Sequence, residues 1–169
     1  GDLEFASYTC QMIGFFHLWS GVPLESVDQE MRNYTRVIER LQQITPLYQI
    51  RIWHQLTANL LGQAVNPLRM SGEHYEESTM LDKHREAKDE IAQFFVHHCK
   101  ITLGLFYDDP AEALASAEEA IRLQKKGVAI GSTVVPIFHG YVALLFLIKS
   151  RISAESDRPG WLKKASAQL

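Results

Sequence analysis

The chain is short of cysteine, of proline and of any excess of one charge. Two cysteines in 169 residues leave no disulfide framework and no cysteine-rich zinc module to hold a fold together. Lys plus Arg number 17 and Asp plus Glu 20, a net charge of −3 with His neutral. A balance this even gives no electrostatic footprint for nucleic acid or for an acidic membrane surface. There is no GxGxxG and no GxxxxGK[ST], so no glycine-rich phosphate cradle is encoded. Ser20-Gly21 and Ser71-Gly72 lack the context of a nucleophile elbow. No alternating apolar and polar run is bounded by Asn-Gly or Asp-Gly, so strands are not expected. The first twenty residues carry Asp2, Glu4 and His17 and lack a basic start with a cleavage site, so a cytoplasmic protein is expected. The Asn33-Tyr34-Thr35 sequon has no meaning in that compartment. What the chain does have is apolar content, 46% of its residues, enough to build the core of one compact domain.

That content recurs at helical spacing. A first helix is expected over about 2–20, with apolar stripes on two sides (Leu3, Ala6, Cys10 and Ile13, then Phe5, Tyr8, Met12 and Trp19) and Gly21 ending it. A second opens at Pro23 and runs to Leu41 with one buried face, Leu24, Val27, Met31, Tyr34 and Ile38. A third starts with Thr45 as N-cap and Pro46 as first helical residue, and closes near Gly62. Residues 64–81 lack periodicity, with turn signals at Asn66-Pro67 and Ser71-Gly72 and a short helix near Tyr75 to Leu81. A fourth helix is read from Lys83 to Tyr107 with Asp82 as its N-cap. A fifth covers 110–126 behind an Asp109-Pro110-Ala111-Glu112 capping box, and a sixth Val134 to Ile152. Pro159-Gly160-Trp161 starts a seventh. Cys10 and Cys99 fall inside apolar helical patterns, where buried free thiols are expected.

Few residues carry chemistry. His97-His98-Cys99 looks metal-like, but neighbours on a helix point about 100° apart and do not converge on one ion. His84 opens a charged helix start, and an enzyme built on His84, His97 or His98 is one alternative reading. Glu73-His74-Tyr75-Glu76-Glu77 reads as an exposed acidic loop. From Val128 to Ile148 no charged residue occurs, a length sufficient for a bilayer. The Gly, Ser, Thr, Pro and His in its first half favour a buried helix, so membrane association through 128–148 stands only as an alternative. No catalytic residue, metal ligand or cofactor is expected.

Helix pairs joined by short turns predict an all-α fold of about seven helices, antiparallel pairs stacked as a tetratricopeptide-like solenoid. The pairs fall at about 2–44, 46–81 (irregular), 83–127 and 132–169. Leu103, Gly104 and Tyr107, followed by Ala113, Ala117 and Ala120, are similar to a tetratricopeptide repeat, although its Trp is missing and the turn is shorter. Further stretches are more specific: Gly1 to Ala6, Leu24 to Leu41, and Asn59-Leu60-Leu61-Gly62 through Asn66-Pro67, Gly72, Tyr75, Glu77, Met80-Leu81 and His84. Val135-Pro136-Ile137-Phe138-His139 completes the set. Together they resemble the tetratricopeptide-like region of large bacterial multi-domain signal-transduction kinases. Those proteins combine a serine/threonine kinase, an AAA-type ATPase, a GAF sensor and often a histidine kinase. The resemblance implies that residues 1–169 are a single non-catalytic helical-repeat segment of a longer chain, engaged with other domains of that chain or with signalling proteins. The candidate interaction or ligand segment comprises Asn66, Tyr75, Glu77, Met80 and His84. The alternative is a small-molecule-sensing helical domain holding its ligand near residues 62–84.

Overall fold

A computed structural model describes residues 2–169. Eight helices follow one another: α1 (Leu3–Trp19), α2 (Leu24–Arg40), α3 (Ile44–Leu60), α4 (Glu77–Glu86), α5 (Glu90–Phe106), α6 (Pro110–Lys125), α7 (Val134–Ile152) and α8 (Arg158–Ser166). Among the described residues there is no strand, only a single bridge between Ser71 and Glu76. The fold is all-α and repeat-like. α1 packs on α3, α3 on α5 and α5 on α7, forming one layer. α2 rests on α1 and α3, α6 on α5 and α7, and α8 on α7, forming the other.

The eighth helix, α4, is the short helix expected near Tyr75 to Leu81, but it runs on into the span expected to belong to the next helix from Lys83 to Tyr107. The chain stops at Glu86 and restarts at Glu90. Lys88 takes a left-handed φ of 55°, and the Asp89 N–H reaches back to the His84 carbonyl at 2.8 Å, a Schellman ending. The N-cap of α5 is therefore Asp89, whose carboxylate accepts from the Ala92 N–H, and Asp82 lies within α4. α3 likewise starts one residue before Thr45, with Gln43 at the cap and Pro46 inside the first turn, where its missing N–H costs nothing. Asp109 and Pro110 begin α6 as expected, with the Asp109 side chain accepting from the Glu112 N–H at 3.1 Å.

Two-sided burial belongs to α3 and α5, not to α1. From Ile52 to Asn59 every residue of α3 is buried. α1 buries only Ser7, Gln11, Gly14 and Phe15, and leaves Phe5, Met12 and Phe16 exposed. Cys99 is buried and Cys10 only half-buried. Gly104 lets α5 and α6 approach closely: a Cβ there would lie 2.6 Å from the Ala113 Cβ and 2.8 Å from the Asp109 carbonyl oxygen. α7 is the one described helix long and apolar enough to cross a membrane. Its Phe138, Val142, Leu145 and Phe146 are buried within the array.

Candidate functional site

Residues 61–76 join α3 to α4 and lack helical periodicity over most of their length. They are held down by two buried amides of α3. The Gln55 Oε1 accepts from the His74 and Tyr75 N–H groups at 3.0 and 3.2 Å, and its Nε2 donates to Asn59 Oδ1 at 2.8 Å. Asn59 Nδ2 donates to the Pro67 and Arg69 carbonyls at 2.9 and 2.6 Å. The Tyr107 hydroxyl closes the set on the Asn59 carbonyl at 2.7 Å. Gly72 fits because a Cβ there would strike the Gln55 amide, 2.6 Å from Nε2. Asn59, Pro67, Gly72, Tyr75 and Glu77 are thus among the residues that build this fold-back.

The five expected site residues do not form one site. Asn66 is exposed and turns the chain, its Oδ1 accepting from the Leu68 N–H at 3.0 Å. Glu77 faces the α5–α6 side, near Lys100 and Arg69 at 3.5 and 3.3 Å, and accepts from the Met70 N–H. Tyr75 and Met80 line a polar recess of about 230 Å³ that also borders Tyr48 and Arg51. His84 is buried behind it, stacked on Tyr75 at 6.1 Å, edge-on to Tyr48, and 3.4 Å from Asp89. Burial pushes the Tyr75 phenol up and out of the physiological range. The acidic string is not a free loop: Tyr75 is buried, Glu73 pairs with Arg32 at 2.8 Å, and Glu76 caps α4 through Ser78.

The histidines of the metal-like string lie in different surroundings from His84. His98 is fully buried and edge-on to Trp19 and Trp53, stacked on Tyr141 and near Phe138. Neither of its nitrogens has a hydrogen-bond partner, and burial lowers its pKa to about 3. Burial lowers that of His97 to about 4. Both rings are neutral at pH 7. The aromatic set joins α1, α3, α5 and α7, so it fills part of the inner face that an open solenoid would leave empty.

Elsewhere the same four helices leave a groove of about 390 Å³. Tyr8, Met12 and Phe15 come from α1, Gln49 from α3, Ile91 and Phe95 from α5. The α6–α7 turn closes it with Ile130 and Thr133, and Asp89 is the one ionisable carboxylate on its wall. Met12, Ile91 and Ile130 are 43%, 42% and 75% exposed. Nothing in the residue pattern points to this groove. Periodicity assigns Met12 and Ile91 to buried stripes, and only the spread between four helices, which no local pattern encodes, leaves them uncovered.

A third cluster lies on the α2 side. Asp28 of α2 meets His54 of α3, with Oδ1 and Nε2 2.9 Å apart, and His74 of the fold-back stacks on His54 at 3.4 Å. Sequence spacing does not reveal it, because the three residues lie on three separate elements. No family model, curated protein or solved structure matches the chain.

Proposed function

We propose that this chain is a non-catalytic interaction and regulatory segment, a cytoplasmic helical-repeat arm of a multi-domain signal-transduction kinase. The groove across α1, α3, α5 and α7 is the observation that carries the reading. A core would have closed over Met12, Ile91 and Ile130, and apolar side chains left open around a concavity favour a protein partner. The resemblance to signalling kinases supports the partner's identity: a neighbouring kinase, ATPase or sensor domain of the same parent. Stacked helix pairs joined by short turns also flex readily against one another, which suits an arm that biases a two-state switch.

The test is retention of the parent's isolated kinase, ATPase and GAF-type domains on this chain, compared with an Ile91→Glu, Ile130→Glu variant. Both positions are exposed, so the double variant keeps its fold. One domain is expected to bind the natural chain and to be lost from the variant. If none binds, and deletion of residues 1–169 leaves the parent's signalling unchanged, the reading is wrong.

A second reading has its own support. The groove falls in the volume range of small-molecule sites, about 300–1,000 Å³, and Tyr8, Phe15 and Phe95 line it. A ligand sensor would hold its molecule there and not near residues 62–84, where the recess is smaller and more polar. Thermal-shift screening separates the two. A compound that stabilises the natural chain, but not a Met12→Glu variant, favours the sensor.

A further inference from the structure

Asp28, His54 and His74 are the one group among the described residues in which three metal-ligating side chains converge, their ligand atoms all within 4.8 Å of one another. We propose that they form a binding site for a zinc-type divalent cation. Two imidazoles with one carboxylate are the donor set that such a borderline ion takes, with a fourth position left to water.

Hydrogen bonding alone does not account for the cluster. The Asp28–His54 contact uses one nitrogen of His54, while its Nδ1 and the Nε2 of His74 are buried without a partner. His54 is 1% exposed, so solvent does not compensate. Arg32 braces the carboxylate, 3.6 Å from Asp28 and 2.8 Å from Glu73, which orients it while leaving lone pairs for the ion. A groove of about 310 Å³ bordered by Arg32, Arg36, Arg51, Glu39, His54 and His74 gives access from solvent.

Ligation needs the His74 ring to turn out of its stack on His54, because rings 9° from parallel with centroids 3.4 Å apart point their in-plane lone pairs side by side and not at one ion. Zinc–nitrogen bonds of about 2.0–2.1 Å place tetrahedral ligand atoms about 3.3 Å apart, whereas Asp28 and His54 now stand at 2.9 Å and the whole set lies within 4.8 Å. His74 sits on the fold-back and not on a helix, so its ring can supply that movement. The ion would then tie α2, α3 and the fold-back together, acting as a clamp on residues 61–76.

Zinc titration of the full chain by calorimetry at pH 7.5, with cobalt as a visible-absorption stand-in, tests this. One equivalent is expected to bind in the micromolar range or tighter, to give a tetrahedral cobalt band, and to raise Tm. His74→Ala and Asp28→Asn change half-buried side chains and spare the buried His54, and circular dichroism checks that both fold. Each is expected to weaken binding by about tenfold or more and to abolish the Tm rise. His139→Ala, on α7, serves as the control and should behave as the natural chain does. Absence of binding, binding undiminished in His74→Ala, or an equal loss in His139→Ala overturns the proposal.

Discussion

His98 shows what one side chain does to the whole molecule's response to pH. Trp19, Trp53, Phe138 and Tyr141 surround it without a charge among them, and burial alone holds its pKa at about 3. In an unfolded chain the same ring titrates near 6.5. As pH falls through that value the unfolded state takes up a proton that the folded state refuses, so stability is present above pH 6.5 and is lost below it. Each further pH unit down to the folded value removes about 1.4 kcal/mol. Between pH 7.5 and pH 5 this withdraws about 2 kcal/mol. His98→Leu should therefore flatten the loss of unfolding free energy by about that much, measured by urea denaturation at the two pH values. An unchanged pH dependence would mean that the folded core already accommodates the protonated ring. Glycines give a second contrast at this scale. Gly104→Ala must drive α5 and α6 apart, because the new Cβ meets Ala113 and a backbone carbonyl below 3 Å, so it should destabilise by about 1–3 kcal/mol. Gly140→Ala, on the open side of α7 with nothing within 4 Å, should stabilise by about 0.5–1 kcal/mol. Denaturation midpoints of the two variants are expected to move in opposite directions.

The helices themselves were legible in the sequence wherever a cap or a stop used the expected residue. α7 runs from Val134 to Ile152 as its apolar pattern requires, and α6 follows its Asp109-Pro110 start. A boundary between α4 and α5 was legible but its place was not, falling between Glu86 and Glu90 and not at Asp82, for a physical reason. Helices α3 and α6 end on glycines in the left-handed region, Gly62 and Gly127, but α2, α4 and α5 end on Gln42, Lys88 and Asp108 in the same conformation. A stop rule that waits for glycine runs through Lys88, whereas Gln42 and Asp108 are marked by the Pro46 and Pro110 that follow them. The residue at such an ending pays about 1–2 kcal/mol for its Cβ, partly offset by a stiffer unfolded chain. Lys88 is exposed, so Lys88→Gly should raise stability by about 0.5–1 kcal/mol without touching a side-chain contact. A drop in the urea midpoint would show that the lysine side chain stabilises the turn in some other way. The fold-back was hidden for a related reason. Gln55 and Asn59 fall on the polar side of an α3 that looks one-faced, and they are buried only because residues 61–76 return over them. No local window contains both the amides and the backbone they hold.

At the scale of the whole molecule, the array is a chain of neighbours and not a single ball. α1 and α2 approach α3, α3 approaches α5, and α5 approaches α6 and α7, whereas α8 makes its close backbone approach to α7 alone. The aromatic set around His98 is the exception, since Trp19 of α1 reaches Tyr141 of α7 across the inner face at 5.5 Å. Stability in such an array follows nearest-neighbour interfaces, so α8 of the terminal α7–α8 pair should open without the rest. Trp161 is the anchor of that pair: its ring rests on Phe146 at 5.8 Å, and Lys164 lies over it at 4.2 Å. Trp161→Ala removes the anchor but leaves the His98 cluster and the fold-back untouched. In hydrogen exchange, the α8 amides of this variant should lose their protection, while those of α3 and α5 keep theirs. If protection falls equally along all the helices, the aromatic bridge from α1 to α7 makes the array one cooperative unit. Regulation by flexing between helix pairs would then have no soft joint at α7–α8 to act on.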